Sequence, residues 1–168
     1  MRLLLLTLVA GVLAFAHSAP VAKGGPANTI AELPLKRGFY VTSDTACDNA
    51  SNATLLLVHA DGMNGARTAC DFKWIEQIGS TSYRTAMVCT DIQGEEPEHS
   101  TCVYEIPDST QFSYGSEDSD YRRRFHYCEQ SSLPEPWRDN DISDLIGRSQ
   151  QSARTYWLFH DGWQLRPG

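Results

Sequence analysis

Seven short runs of β-prone residues, each followed by a turn signal, occupy the chain between residues 38 and 128. They are GFYVTS at 38–43, TLLLVHA at 54–60, ACDFKWIEQI at 69–78, YRTAMVCTDI at 83–92, TCVYEI at 101–106, TQFSYG at 110–115 and YRRRFHYC at 121–128. In the third run alternation puts Cys70, Phe72 and Trp74 on one face, and Asp71 and Lys73 on the other. DGMNG at 61–65 reads as a break, with two glycines. The close spacing predicts a mainly β fold: an antiparallel meander forming a small barrel or sandwich. One short C-terminal helix is expected in DNDISDLIGRSQQSA at 139–153, where acids precede Ile142, Leu145 and Ile146 at helical spacing. RTYWLFHDGWQL at 154–165 then reads as a hairpin turning on Asp161-Gly162.

The segment ahead of these runs reads differently. MRLLLLTLVAGVLAFAHSAP has one basic residue, Arg2, then an apolar run from Leu3 to Ala16 that ends in Ala14-Phe15-Ala16. Small residues at those two alanine positions suit a signal peptidase. The run is short for a membrane span, which needs about 20 apolar residues. Residues 1–16 are therefore read as a signal peptide, and no later segment is apolar enough to cross a bilayer. Residues 17–35, with AKGGPAN at 22–28, read as a flexible lead segment, and 36–168 as a single disulfide-bonded domain. Cleavage after Ala16 leaves 13 basic and 21 acidic side chains, a net charge of −8. That charge argues against nucleic-acid binding and favours a cationic protein as partner.

All five cysteines, Cys47, Cys70, Cys89, Cys102 and Cys128, follow the leader. In an oxidising compartment they are disulfide material, and their odd number leaves one over. The chain contains no C-x-x-C, so neither the thioredoxin-type motif nor the usual zinc spacings occur. A two-residue turn at Gly79-Ser80 sets Cys70 directly opposite Cys89, an awkward geometry for a bridge. The expected pairs are therefore Cys47–Cys70 and Cys89–Cys128, with Cys102 unpaired.

No catalytic, metal or cofactor site is predicted. Nucleophile-elbow, Walker and dinucleotide fingerprints are missing, as are the zinc-protease histidine spacings. Cys102, His126 and His160 are the only residues from which an unrecognised enzyme could be assembled. EDSD at 117–120 has acids without EF-hand spacing and reads as a solvated hairpin tip. With the neighbouring RRR it defines a possible binding surface: Glu117, Asp118, Asp120, Arg122 and Arg124. Neutralisation of those acids by the arginines is the plainer alternative. The four tryptophans, Trp74, Trp137, Trp157 and Trp163, read as core. NASNAT at 49–54 carries two glycosylation sequons, at Asn49 and Asn52, which matter only in a host that glycosylates.

The stretch GFYVTSDTACDNASNATLLLVHADG at 38–62 resembles small exported cysteine-containing proteins of Gram-negative bacteria. The likeness runs more loosely through Cys70 and Cys89 to FHYCEQSSLPEPW at 125–137, and no part of it is a catalytic signature. It implies a periplasmic or secreted location. Cys102 lies outside the pattern, which again leaves it unpaired. The chain also loosely resembles periplasmic lysozyme inhibitors, with GSTSY at 79–83 only a faint echo of their motif. The expected function is that of an exported cell-envelope protein acting as a noncatalytic binding or interaction module. An inhibitor of a lysozyme-like wall hydrolase and an enzyme of unrecognised type are the alternatives.

If the leader is read correctly, the exported protein begins at His17, or at Pro20 if the cut follows Ala19. Intact-mass measurement on the exported fraction checks this, and a full-length cytoplasmic product contradicts it.

Overall fold

The computed structural model describes residues 26–94 and 96–147. Nine strands run in chain order: β1 (Thr29–Ile30), β2 (Gly38–Thr42), β3 (Leu55–His59), β4 (Gly62–Asn64), β5 (Thr68–Gln77), β6 (Ser82–Asp91), β7 (Glu98–Asp108), β8 (Gln111–Ser116) and β9 (Arg123–Cys128). From β2 to β9 each strand pairs antiparallel with the next, and β9 pairs back onto β2. The expected meander is thus a closed up-and-down barrel of eight strands, with no free edge left by β2 or β9. β4 covers only the start of β5, at Ala69–Asp71, and β1 takes up the exposed remainder at Ile75 and Glu76.

The barrel interior is a packed side-chain core. Tyr40, Val58, Met63, Ile75, Met87, Tyr104, Phe112 and Phe125 all point into it, and Tyr40 and Tyr104 are fully buried. Eight strands leave a bore about as wide as such side chains fill. Phe112 sits 5.1 Å from Tyr40 and 5.2 Å from Phe125 between ring centroids. The hydroxyls of the buried tyrosines find partners. Tyr104 Oη donates to Met87 Sδ at 3.2 Å, and Tyr40 Oη lies within reach of two carbonyls, Lys36 O at 2.8 Å and Ser109 O at 2.9 Å.

Those carbonyls belong to the plug at one end of the barrel. Leu33 and Leu35 are buried in the interior cluster, and Lys36 N–H donates to Ser109 O at 2.7 Å. The expected flexible lead is therefore part of the fold from β1 onward. Its two leucines fill the open end, which a barrel of this length would otherwise expose to water.

A second layer covers one outer wall. β2 is buried along its whole length, because Phe39 and Val41 point outward into a second cluster with Leu55, Leu57, Leu133 and Ile142. The cover consists of the 43–54 loop and the segment after β9. That segment forms one-turn helices at Gln130–Ser132 and Trp137–Asp139 and a short helix α1 (Ser143–Ile146). Among the described residues the expected C-terminal helix is this single turn, and 148–153 and the 154–165 hairpin lie outside them.

Four details differ from the sequence reading. DGMNG contains a strand, not a break: Gly62–Asn64 forms β4, and Gly62 is required there, since a Cβ would fall 1.9 Å from Cys70 O. A bulge lies between Phe72 and Trp74. It shifts the alternation, so Ile75 enters the core at 1% exposure and Trp74 belongs to neither cluster. The other described tryptophan, Trp137, packs on the outer cluster and not in the barrel.

The cysteine pairing is also different. The bridges are Cys47–Cys128 and Cys70–Cys89, and Cys102 is free and buried. The β5–β6 turn is one residue longer than expected, with Gln77 opposite Tyr83, and the bulge restores the count so that Cys70 faces Cys89. Their Cα atoms are 4.0 Å apart, the close approach of a non-hydrogen-bonded pair, and both side chains point inward. Cys47 and Cys128, at the β2–β9 seam, lie outside the barrel wall. The expected pairs Cys47–Cys70 and Cys89–Cys128 would have had to pass through it.

The bulge makes a measurable distinction. Ile75→Ala is expected to cost about 2–5 kcal/mol of stability in urea unfolding, as for a truncation in a closed core. Trp74→Ala is expected to cost clearly less despite removing the larger side chain.

Candidate functional site

Four connections gather at the end of the barrel opposite the Leu33/Leu35 plug: residues 43–54, 65–67, 92–97 and 117–122. Antiparallel strands of a meander return all alternate loops to one end, so distant sequence segments meet there. Asp44, Asp48, Glu96, Glu98, Glu117, Asp118 and Asp120 are all exposed at this end.

The arginines nearby are largely engaged with backbone. Arg122 donates to the carbonyls of Ser116 at 3.2 Å and Tyr121 at 3.1 Å and to that of Ser119. Arg123 reaches Ala53 O and lies over the Phe125 ring. Arg67 pairs with Asp91 at 3.8 Å. Of the sequence-predicted surface, Glu117 is paired with Arg84 of β6 at 2.8 Å, and Asp118 and Asp120 project at the tip. Arg124 is exposed in β9, across from Ser113 of β8. The five residues thus lie near one another without forming the mutual acid–base pairing that neutralisation would require. Arg122 supports the loop through carbonyls, not carboxylates. Asp44 has its pKa lowered, first by a hydrogen bond from Thr42, which keeps that rim position charged.

Of the three residues considered for catalysis, the two described ones do not converge. Cys102 lies in the interior cluster at 6% exposure, and burial raises its thiol pKa. His126 stands opposite Val41 on the outer side of the wall. A Cys102–His126 dyad is therefore not assembled. His160 lies outside the described residues.

Two groupings escaped the sequence reading. One is at the β3–β4 hairpin, where His59 is 6% and Asn64 3% exposed. His59 Nε2, both amide atoms of Asn64 and Asp61 Oδ1 are buried without a hydrogen-bond partner. Burial lowers the His59 pKa and raises that of Asp61. The available signal was a histidine ending the apolar run TLLLVHA just before an Asp-Gly turn. The other is at the Cys47–Cys128 bridge, where His126 Nε2 lies 3.8 Å from Cys47 Sγ. H-x-C at 126–128 was its only sequence trace.

Comparison of the chain with protein-family models, with curated proteins and with solved structures finds no match.

Buried His59 has a consequence for acid stability. Its folded pKa lies below the unfolded value of about 6.5. Above that pH it is neutral in both states. As the pH falls below about 6.5 the unfolded chain takes up the proton first, and stability declines until the folded pKa is passed. Asp61, with a raised folded pKa, acts in the opposite sense but in the carboxylate range; Asp71 and Arg37 also face the histidine. In urea titrations just below pH 6.5 the wild type is expected to lose up to about 1.4 kcal/mol per pH unit from this one proton. His59→Gln is expected to flatten that slope, and an unchanged slope contradicts the assignment.

Proposed function

We propose that the protein is an exported, noncatalytic interaction module whose acidic loop end engages a cationic protein. The observation that carries this reading is the set of seven exposed acids that three separate parts of the chain bring to this end: 43–54, 92–97 with the first residue of β7, and 117–122. An acidic rim of this kind speeds encounter with a positive partner and disfavours other contacts more than it adds raw affinity. The side-chain core of the barrel supports the same reading, because the interior is occupied by Tyr40, Tyr104, Phe112 and Phe125 and binding is left to the loops. The separation of Cys102 from His126 by the barrel wall favours binding over the cysteine-based catalysis weighed as an alternative. Two disulfides are compatible with an oxidising, exported location, periplasmic or secreted.

The concrete form we propose is inhibition of a lysozyme-like wall hydrolase. Such enzymes are cationic, and a protruding acidic tip can enter a basic cleft. Asp118 and Asp120, exposed in the β8–β9 connection, are the residues we assign to that contact.

Calorimetry with a basic lysozyme at low and high salt tests the proposal. Binding is expected to weaken with salt. Asp118→Asn/Asp120→Asn should lower the affinity about tenfold, mainly through the association rate. Binding that ignores both salt and the double substitution would refute the acidic end as the contact surface. Binding without inhibition would refute the hydrolase version alone.

A further inference from the structure

The outer wall of the barrel brings three metal-type ligands together at the seam where β9 meets β2. Among the described residues, Cys47 Sγ, His126 and Cys128 Sγ form a group whose ligand atoms all lie within 4.8 Å of one another. His126 and Cys128 are two apart on β9, so strand alternation aims both outward. Cys47 comes from the other direction, on the one-turn helix Cys47–Asn49 in the loop after β2. Cys128 is buried, while Cys47 and His126 are half-buried and open to solvent on one side.

We propose that, once the Cys47–Cys128 bridge is reduced, these three side chains bind a thiophilic d10 metal ion such as zinc. The distances fit. Tetrahedral zinc holds sulfur at about 2.3 Å and imidazole nitrogen at about 2.0–2.1 Å, which places sulfur and nitrogen about 3.6 Å apart and two sulfurs about 3.8 Å apart. His126 Nε2 is already 3.8 Å from Cys47 Sγ. The two sulfurs must separate, and Cα atoms 5.7 Å apart leave room for that by side-chain rotation. Two ligands sit on a strand paired on both sides, and the third sits on a loop that can adjust. Three protein ligands leave a fourth position for water or a donor from a partner.

The redox step balances with a dithiol as reductant. The dithiol gives two electrons and two protons to the Cys47–Cys128 bridge, yielding two protein thiols and one reductant disulfide. Metal binding then releases the two thiol protons to solvent, since thiolate is the ligand form. The oxidised bridge blocks the site, so reduction is the gate. The Cys70–Cys89 bridge serves as an internal comparison, because no such ligand group surrounds it among the described residues.

The test uses the full chain, reduced with a dithiol, desalted without oxygen and titrated with zinc or cobalt(II). One ion per chain is expected in the reduced protein and none in the oxidised protein, and cobalt should show tetrahedral, thiolate-containing absorption. His126→Ala should weaken binding at least about tenfold, and Cys47→Ser should weaken binding and reduce the thiolate absorption of this site. Cys70→Ser/Cys89→Ser should leave the binding unchanged. If the reduced chain unfolds, zinc should restore its circular dichroism in the wild type and not in His126→Ala. Reduced protein that binds no metal, or binds it equally well without His126, would overturn the proposal. Failure of zinc to restore an unfolded reduced chain would do the same.

Discussion

The β2–β9 ladder is the seam on which the barrel depends. Every other strand pairing from β2 onward joins neighbours in the chain, whereas this one sets Phe39 opposite Cys128 and Thr42 opposite Phe125. Closing so long a loop costs conformational entropy before any contact offsets it. Two features lower that cost. The outward residues of β2, Phe39 and Val41, bury themselves under the segment that follows β9, so closure and the second hydrophobic layer form together. The Cys47–Cys128 bridge then ties the loop after β2 to the last residue of β9, across a sequence separation of 81. On the loop-entropy model such a bridge contributes about 4.5 kcal/mol, against about 3 kcal/mol for Cys70–Cys89 with its separation of 19. A share of that size is comparable with the whole stability of a domain, about 5–15 kcal/mol.

The same architecture decides where binding can occur. An eight-stranded barrel can hold a small ligand only if its side chains leave room. Here aromatic rings meet edge to face, tilted or stacked through the bore, and the Leu33–Leu35 plug occupies one mouth. The opposite end is where sequence-distant loops converge and where acids collect. A rigid barrel carrying variable loops at one end separates the stability problem from the recognition problem.

The strand runs were legible because period-two alternation and turn residues are local signals, and all seven appear as strands within a few residues of the expected bounds. β4 was not, because three residues that begin with one glycine and precede another carry no period, and their strand character comes from pairing with β3 and β5. The bulge was equally hidden, since an inserted residue in ACDFKWIEQI leaves its composition unchanged while moving Trp74 and Ile75 to opposite roles. The disulfides were misread for a related reason. Sequence places Cys70 and Cys89 opposite one another correctly, but which side of a closed wall each cysteine faces depends on closure, a global property. The acid cluster at 117–120 was visible in the sequence. Its company from 43–54 and from the β6–β7 connection was not, because nothing local says which turns share an end of the barrel.

The seam also links the two outward-facing parts of the molecule. Cys47 lies in the 43–54 loop, which contributes Asp44 and Asp48 to the acidic end, and Arg123, three residues before His126, fastens β9 to that loop through Ala53 O. Whatever holds Cys47 against Cys128 therefore also fixes where one loop of the rim stands. With the bridge intact, that loop is held at Cys47 beside a buried cysteine, at Ser43 through its N–H to Arg124 O at 2.9 Å, at buried Ala50 and at Ala53. Losing the bridge would leave residues 44–48 to the local turn at Thr42–Thr45 and to contacts on either side of them, at Ser43 and Ala53. The position of these acids at the rim is thus coupled to the chemistry of two sulfurs on the outer wall, through the one loop that carries both.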